Sequence, residues 1–233
     1  MMPLVIAIDG PAAAGKGTLA RRLAAALGLP HLDTGLLYRA VGRLVLDAAG
    51  DPADPAVGAA AALRLRAEDL ARADLRGPAA DAASSSVARH PGVRAALLAF
   101  QRRFPGETGA VLDGRDIGTA VFPEAPVKLF VTAAPAARAR RRWRELGGMV
   151  ALAEIEADMR ARDAQDSTRG TAPLVQAADA VLLDTTALDP DAAFAAAMRV
   201  VTARRGSAFL ERDDFRLAAD RAERRQQTAD ECE

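Results

Sequence analysis

The stretch "IDGPAAAGKGTLA", residues 8–20, contains the glycine-rich turn that decides the fold. It nearly matches the phosphate-binding pattern G-x-x-x-x-G-K-[ST], but Gly17 stands at the hydroxyl position and Thr18 comes one place later. In such a turn the backbone N–H groups and a helix N-terminus attract phosphate oxygens, and Lys16 would reach the outer phosphates. Thr18 is either the nearest hydroxyl for a magnesium ion or its water shell, or a plain first-turn residue.

The segments on either side of the turn have the pattern that a phosphate loop requires. Residues 3–9, "PLVIAID", are typical of a strand buried on both faces. After the turn, Leu19, Leu23 and Leu27 recur every four residues, which predicts an amphipathic helix that ends near Gly28. Strand, turn and helix together favour a nucleotide site over a glycine-rich turn without a ligand.

Lysine is rare in this chain, which makes the lysine of the turn informative. Among 31 basic residues only Lys16 and Lys128 are lysines, and the rest are arginines. The compact charge of a lysine suits a cradle of backbone N–H groups better than the broad fork of a guanidinium does. A chance lysine at this position is therefore improbable.

Composition excludes several classes of protein. The 233 residues suit one domain, half of them are apolar, and the zero net charge argues against nucleic acid or an anionic membrane as the main partner. The start "MMPLVIAIDG" has no basic region of a signal peptide. The single cysteine, Cys232, cannot build a disulfide framework, and His31 and His90 offer little for a zinc centre. A cytoplasmic location is expected.

Further apolar runs alternate with helical patterns, which predicts a parallel sheet wrapped by helices. The runs are "GAVLDG" (109–114), "VKLFVTA" (127–133) and "AVLLDTT" (180–186). Acids close three of the four runs, at Asp9, Asp113 and Asp184, and the carboxyl ends of parallel strands are where such folds bind ligands. The predicted class is α/β.

Three segments depart from this alternation. Residues 51–93 are rich in alanine and charge and are interpreted as an insertion, whereas 138–162 form a basic helical pair around Gly147 and Gly148, typical of a mobile flap. A domain over residues 1–205 is expected, followed by a charged tail at 206–233, helical or disordered, in which no chemistry is evident.

Polar residues gather at three more places. "HLDTGLLYR" (31–39) places Thr34 and Arg39 around an expected turn at Gly35, or else is a simple loop with an outward arginine. "LDGRDIGT" (112–119) crowds Asp113, Arg115 and Asp116 at the end of a buried strand, which favours a site over a surface salt bridge. "RDAQDSTR" (162–169) puts Arg162, Asp166 and Arg169 on one helix face, where a solvated ladder of ion pairs is the alternative.

Taken together, these segments resemble one family. The spelling G-K-G-T is similar to that of the nucleoside monophosphate kinases, a family of P-loop kinases. The blocks that resemble the bacterial cytidylate kinases in order and spacing are "IDGPAAAGKGTLA", "LDTGLLYR", "LDGRDIGTAVFPEAPVKLFVTA", "RDAQDSTR" and "APLVQAADAVLLDTT". The resemblance covers residues 3–203, and the later blocks carry its specificity because adenylate kinases share only the loop.

The resemblance implies an α/β P-loop kinase with an inserted acceptor-binding subdomain and a short lid. It would transfer the γ-phosphoryl group of Mg-ATP to CMP, and to dCMP. ATP would be bound by Gly10, Pro11, Ala12, Ala13, Ala14, Gly15, Lys16, Gly17 and Thr18, with Thr18 also serving the Mg²⁺. CMP would be bound by Thr34, Arg39, Ser85, Arg94, Asp113, Arg115, Asp116, Arg162, Asp166 and Arg169. The residues implied in catalysis are Lys16, Arg115, Arg138, Arg142 and Arg162, and Arg141 would close with the flap.

Within this set, Asp116 would accept a hydrogen bond from the N4 amino group of cytosine, whereas uracil presents an acceptor there. The family's insertion usually holds a small β-meander, but residues 63–86 have few β-formers, so the insertion here is expected to be trimmed or partly helical. The flap also looks a few residues shorter than the family's. A monomer is expected, without nucleic acid or membrane as partner. A P-loop kinase for another small acceptor remains open, as does a nucleotide-dependent switch, although the guanine-reading pattern N-K-x-D is missing.

Overall fold

A five-stranded parallel sheet forms the centre of the molecule. The computed structural model describes residues 3–204, and the prediction of a charged tail at 206–233 lies outside them. The strands are β1 (Leu4–Asp9), β2 (His31–Asp33), β3 (Gly109–Gly114), β4 (Val127–Thr132) and β5 (Val181–Asp184). Their order in the sheet is β2-β3-β1-β4-β5, and every neighbouring pair is parallel. The predicted α/β class and the four predicted strands are confirmed.

Helices connect these strands. They are α1 (Lys16–Leu27), α2 (Thr34–Asp47), α3 (Pro55–Leu63), α4 (Pro78–Val87), α5 (Pro91–Arg103), α6 (Pro135–Glu145), α7 (Leu152–Thr168) and α8 (190–204). Short 3₁₀ turns span Ala67–Ala71 and Ala73–Leu75, and a π-helical turn spans Ile117–Val121. Five of the described helices begin at a proline, whose fixed φ and missing N–H suit the first helical position.

The expected turn at Gly35 is wrong, because β2 runs directly into α2 at that point. Helix α2 begins at Thr34, and Gly35 lies in its first turn. The Thr34 hydroxyl donates to the backbone oxygen of Asp113, at 2.8 Å, which attaches the start of the helix to the end of β3. Strand β2 itself has only three residues, and Leu32 is its single buried side chain.

The two faces of the sheet bury separate cores. Val5 and Ala7 of β1 pack in one core with α2, α3 and α5, whereas Ile6 and Ile8 pack in the other with α1 and α8. This alternation is what a central strand covered on both sides requires, and it explains why the run at 4–9 is apolar throughout. The carboxyl end of β1 is thereby fixed from both sides.

The inserted segment at 51–93 is helical. It contains α3, α4 and the start of α5, and no strand lies between residues 51 and 93. Helix α4 packs on α2 and α3 packs on α5, so the segment packs against the helices on either side of it in the chain. No helix between residues 3 and 204 is both long enough and apolar enough to cross a membrane.

Candidate active site

The glycine-rich turn is held in place by the backbone of the central strands. A Cβ atom at Gly10 would lie 1.9 Å from the carbonyl oxygen of Val131 on β4, so only glycine fits there. Gly10 also has φ of +147° and Gly15 has φ of +92°, conformations that L side chains rarely adopt. The turn therefore has a fixed shape that depends on two glycines.

Lys16 is the first residue of α1 and lies under the turn. Its side chain is buried, and its Nζ donates to the carbonyl oxygen of Pro11 at 2.7 Å. Burial, together with the nearby charge of Arg115, lowers the pKa of Lys16 to about 7 against the opposing effect of Asp113. A phosphate group brought into the turn would supply the anion that this buried amine lacks.

Asp9, at the end of β1, is bound by the backbone of the next loop. Its two carboxylate oxygens accept from the backbone N–H groups of Ile117 and Gly118, each at 2.7 Å. Burial raises the pKa of Asp9 to about 6 despite these hydrogen bonds. The π-helical turn that carries these N–H groups begins beside Asp116, so Asp9 fixes the position of Asp116 relative to the sheet.

Two further acids face the loop from the neighbouring strands. Asp113, at the end of β3, has an oxygen 2.7 Å from His31 Nε2. Its other oxygen lies 3.7 Å from the position of a Cβ atom at Gly17, so it borders the phosphate loop. Burial raises the pKa of Asp33, and repulsion from Asp113 raises it further. The phosphate loop therefore has carboxylates close to Lys16.

A magnesium ion would find oxygen donors here. The Thr18 hydroxyl is exposed on the first turn of α1, where Arg21 approaches it at 3.4 Å. Between residues 3 and 204 no three His, Cys, Asp or Glu side chains group together to enclose a metal. Kinases commonly hold Mg²⁺ through one or two carboxylates plus the phosphates of the substrate. The hydroxyl of Thr18 and the Asp113 carboxylate fit that mode.

A cavity of about 240 Å³ opens beside the end of β3. Tyr38, Arg94 and Asp116 are among its lining residues, whereas Ser85 is half-buried on α4 and does not line it. Arg94 donates to the Asp116 carboxylate and lies 5.5 Å from the centre of the Tyr38 ring. Drug-sized ligands usually occupy ~300–1,000 Å³. A cavity of this size suits a smaller group, such as one heterocyclic base.

Arg162, Asp166 and Arg169 of "RDAQDSTR" are buried or half-buried against the protein. Arg169 is 6% exposed and lies 3.5 Å from Asp116, and Asp166 accepts from Arg115 at 2.8 Å. The solvated ion-pair ladder is therefore wrong. Among the described residues, Arg162 Nε is a buried donor without a hydrogen-bond partner, and Arg169 NH2 has only the 3.5 Å ion-pair contact with Asp116. Buried donors are nearly always satisfied, so a ligand oxygen beside these two arginines would complete their hydrogen bonding.

Three arginines of α6, Arg138, Arg141 and Arg142, have partners within the protein. Arg138 is buried, donates to the carbonyl oxygen of Ala12 at 3.3 Å and pairs with Asp163 at 2.6 Å. Arg141 donates to the carbonyl oxygen of Thr185 at 2.6 Å. Their closure over a phosphoryl group stays a prediction, but Arg138 already joins α6 and α7 to the phosphate loop.

Comparison with known proteins decides the family. The family model described as cytidylate kinase matches residues 6–202. This chain belongs to the cytidylate kinase family. A cytidylate kinase from Granulibacter bethesdensis is 62% identical over 203 residues, which cover 86% of this chain and 97% of that protein. A cytidylate kinase from Paramagnetospirillum magneticum is 59% identical, with 88% and 100% covered.

Among solved structures, a gluconokinase from Sinorhizobium meliloti aligns with a TM-score of 0.51 at 12% identity, over 90% of this chain and 98% of that one. At that identity the likeness concerns the fold alone. The P-loop kinase fold that the sequence predicted is confirmed.

Sequence reasoning overlooked several residues of this cytidylate kinase site. Tyr38 is the only tyrosine of the chain and stands next to Arg39, a signal that could have found it. Asp33 ends the short strand β2 directly before Thr34, a position that could have identified it. Asp81 had no signal, because it lies in an alanine-rich stretch of the insertion. Nevertheless it accepts hydrogen bonds from two of the arginines that were singled out, Arg39 and Arg142.

Proposed function

We propose that this enzyme transfers the γ-phosphoryl group of ATP to CMP, and to dCMP, across the cleft between the phosphate loop and the cavity. The observation that carries the proposal is that Arg162 Nε is a buried donor without a hydrogen-bond partner, while Arg169 NH2 has only a 3.5 Å contact with Asp116. An acceptor nucleotide has phosphate and sugar oxygens to offer them. Its base would enter the cavity.

On the donor side, residues 10–18 hold the phosphates of ATP through backbone N–H groups, and Lys16 pairs with the outer phosphates. Thr18, with Asp113 beside it, would hold the Mg²⁺ that accompanies ATP, and the ion would neutralise part of the phosphate charge. The fixed shape of the turn supports this role, because a preorganised cradle loses little free energy to reorganisation when the ligand binds.

On the acceptor side, Arg39 and Arg115 grip the phosphate of CMP, with Thr34 and Asp113 beside them. Arg162 and Asp166 contact the sugar, and Arg169 bridges toward the nucleotide. Arg115 and Arg169 both lie within 4.0 Å of the Asp166 carboxylate, so these three side chains form one connected group.

The base is read by Asp116 with Arg94. The Asp116 carboxylate lines the cavity and would accept from cytosine N4, while Arg94 donates to an acceptor on the ring. Ser85 would assist from α4, although it lies outside the cavity wall and needs α4 to shift. Uracil would place an acceptor against the carboxylate, which disfavours UMP.

The chemistry follows from charge rather than from a strong base. Phosphoryl transfer passes through a loose transition state in which positioning and neutralisation of charge do most of the work. Lys16, Arg115 and Arg162 supply positive charge on the floor of the cleft, and Arg138, Arg141 and Arg142 supply it from a flap over 138–162. An arginine-rich site without a catalytic histidine is consistent with this mechanism.

The enzyme would work as a monomer in the cytoplasm, where nucleotides are interconverted. Support for the monomer comes from the composition of the site: α2, α4, α6 and α7 of one chain all supply side chains to the cleft. Light scattering across a range of protein concentrations tests this assignment, and a concentration-independent dimer would contradict it.

The test of the activity is release of ADP from ATP in the presence of CMP, dCMP, UMP, AMP or no acceptor. CMP and dCMP should give turnover far above the acceptor-free rate, with UMP weaker. Equal turnover with and without CMP would contradict the proposal and favour a nucleotide-dependent switch. A preference for another acceptor would place the enzyme among other P-loop kinases.

A further inference from the structure

Asp81 is the point at which three arginines of the cleft meet. It lies in the first turn of α4, in the inserted segment, and its side chain is 15% exposed. Arg39 donates to Asp81 Oδ1 at 2.8 Å, Arg142 donates to Oδ2 at 2.5 Å, and Arg162 lies 3.7 Å from Oδ1. These arginines come from α2, α6 and α7, so one carboxylate connects the insertion to three other helices.

An acid in the first turn of a helix is ordinary, because it complements the helix dipole. That role does not explain the surroundings of Asp81. Besides Asp81, the three guanidinium groups have one further carboxylate within 4.0 Å among the described residues, that of Glu145 at 3.2 Å from Arg142, which leaves an excess of positive charge. Arg162 Nε still lacks a hydrogen-bond partner. Burial lowers the pKa of Arg162, and repulsion from Arg115 lowers it further. The cluster is therefore under-neutralised in the nucleotide-free protein.

A phosphate group matches this cluster better than a carboxylate does. It has more oxygens and more negative charge, and arginines bind phosphate through paired hydrogen bonds. Of the three arginines, Arg39 is assigned to the acceptor phosphate, Arg162 to its sugar and Arg142 to the flap. The carboxylate of Asp81 therefore lies against groups that the acceptor would also claim.

We propose that Asp81 is a positioning residue that stands in for the acceptor's phosphate in the empty enzyme. It holds Arg39 and Arg142 near each other, ties α6 to α4, and loses these arginines to the phosphate when the nucleotide binds. The inference rests on the proposed function. It goes beyond that function in making an acidic residue of the insertion a competitor for the acceptor site, which weakens binding of the acceptor.

The decisive variant is Asp81→Asn, which keeps the shape and removes the charge. The KM for CMP should fall about five- to tenfold, since a nearby unit charge that opposes the phosphate is gone. Calorimetric binding of CMP without ATP should tighten by the same factor. In the empty enzyme, amide hydrogen exchange in α6 should become faster, because Arg142 no longer has its partner on α4.

Two control variants separate charge from folding. Asp74 also lies in the inserted segment, and its carboxylate pairs with Arg43 and Arg72. Asp74→Asn removes that charge and should leave CMP binding and amide exchange in α6 unchanged. Asp81→Glu keeps the charge and should stay within about twofold of wild type in both measurements, even if Asp81→Asn folds poorly.

Weaker CMP binding in Asp81→Asn, or unchanged exchange in α6, would overturn the inference, and so would an Asp81→Glu variant that behaves like Asp81→Asn. Failure of the proposed function is a separate result. It would appear as wild-type protein that shows no CMP-dependent release of ADP, whereas the binding and exchange measurements on Asp81 do not require turnover.

Discussion

The donor half and the acceptor half of the cleft are held by different kinds of interaction. On the donor side the backbone sets the shape: Gly10 packs against the carbonyl of Val131 with no space for a side chain. On the acceptor side, side chains hold one another, as Arg39 and Arg142 both do at Asp81. One half is a fixed backbone cradle, and the other is a network of exchangeable ion pairs.

This difference shows which half can change on binding. Partly exposed ion pairs contribute about 0–1 kcal/mol each, so a phosphate can displace a carboxylate at little expense. A backbone packed against a strand has no such alternative arrangement. We therefore expect substitutions on the donor side to abolish function or folding, and substitutions on the acceptor side to change affinity and selectivity.

The largest effect is expected from Lys16→Met. Loss of the charge that faces the transferring phosphoryl group should lower kcat by at least about 10²–10³-fold, the usual effect of one transition-state donor. The coupled assay for ADP release at saturating ATP measures this. Activity within a few-fold of wild type would refute a catalytic role for Lys16.

The thermal stability of Lys16→Met should rise, whereas its kcat falls. The pKa of Lys16 is lowered to about 7 in the folded protein, so its charged form is disfavoured by folding below pH 7, and the penalty fades as pH rises toward 10.5. Lys16→Met should therefore raise Tm more at pH 6 than at pH 9. The matched control is Lys128→Met, which removes the other lysine, buried beside Asp179, and should lower stability while kcat stays near wild type.

The next largest effect is on the free energy of unfolding, and it should differ between Gly10 and Gly15 of the phosphate loop. Gly10→Ala introduces both a clash with Val131 and an unfavourable φ, and should cost about 2–4 kcal/mol of unfolding free energy. Gly15→Ala meets no atom within 4 Å and keeps only the φ penalty, about 1–2 kcal/mol. Urea titrations of both variants measure the difference. Equal losses would mean that the loop is not seated on β4.

On the acceptor side, Asp116→Asn should change selectivity. The ratio of kcat/KM for CMP to that for UMP should fall by about five- to two-hundredfold, the range for one mismatched base contact, and KM for ATP should change little. The amide can turn its N–H₂ toward uracil O4. An unaltered ratio would leave Asp116 as the partner of Arg94 and Arg169 that merely holds the site together.

The smallest effect concerns the flap over 138–162. In the empty enzyme Arg138 pairs with Asp163 and Arg142 with Asp81, and the phosphates of both nucleotides would give the flap further partners. A bisubstrate analogue should therefore slow amide exchange there several-fold relative to the empty enzyme. Helix α1, outside the flap, serves as the internal reference. Identical exchange in both states would remove the flap from the mechanism.

The local pattern of apolar residues predicted most of the sheet, but little of the ion-pair network in the candidate site. The runs at 4–9 and 109–114 are apolar because those strands are covered on both faces, so the sequence itself shows them. Strand β2 escaped notice because only Leu32 of its three residues is buried. The insertion was expected to be poor in strands from its composition, and it is helical.

The side-chain network depends on long-range pairing that no local pattern records. Asp81 lies 42 positions from Arg39 and 61 from Arg142, and only the fold brings them together. The resemblance to a family supplied the names of the arginines. It supplied Asp116 and Asp166 as well, but not Asp81 or Asp163, which hold the flap arginines.

The central position of β1 also determines when this strand can pair with its neighbours during synthesis on the ribosome. Leu4 of β1 aligns with Gly109 of β3, and Ile6 aligns with Val127 of β4, so the first strand to be made has no partner until more than a hundred further residues follow. At about 5–20 residues per second, that wait is roughly 5–20 s of translation with an apolar segment unpaired. The phosphate loop, made within the first 18 residues, acquires its seat only when Val131 has been synthesised.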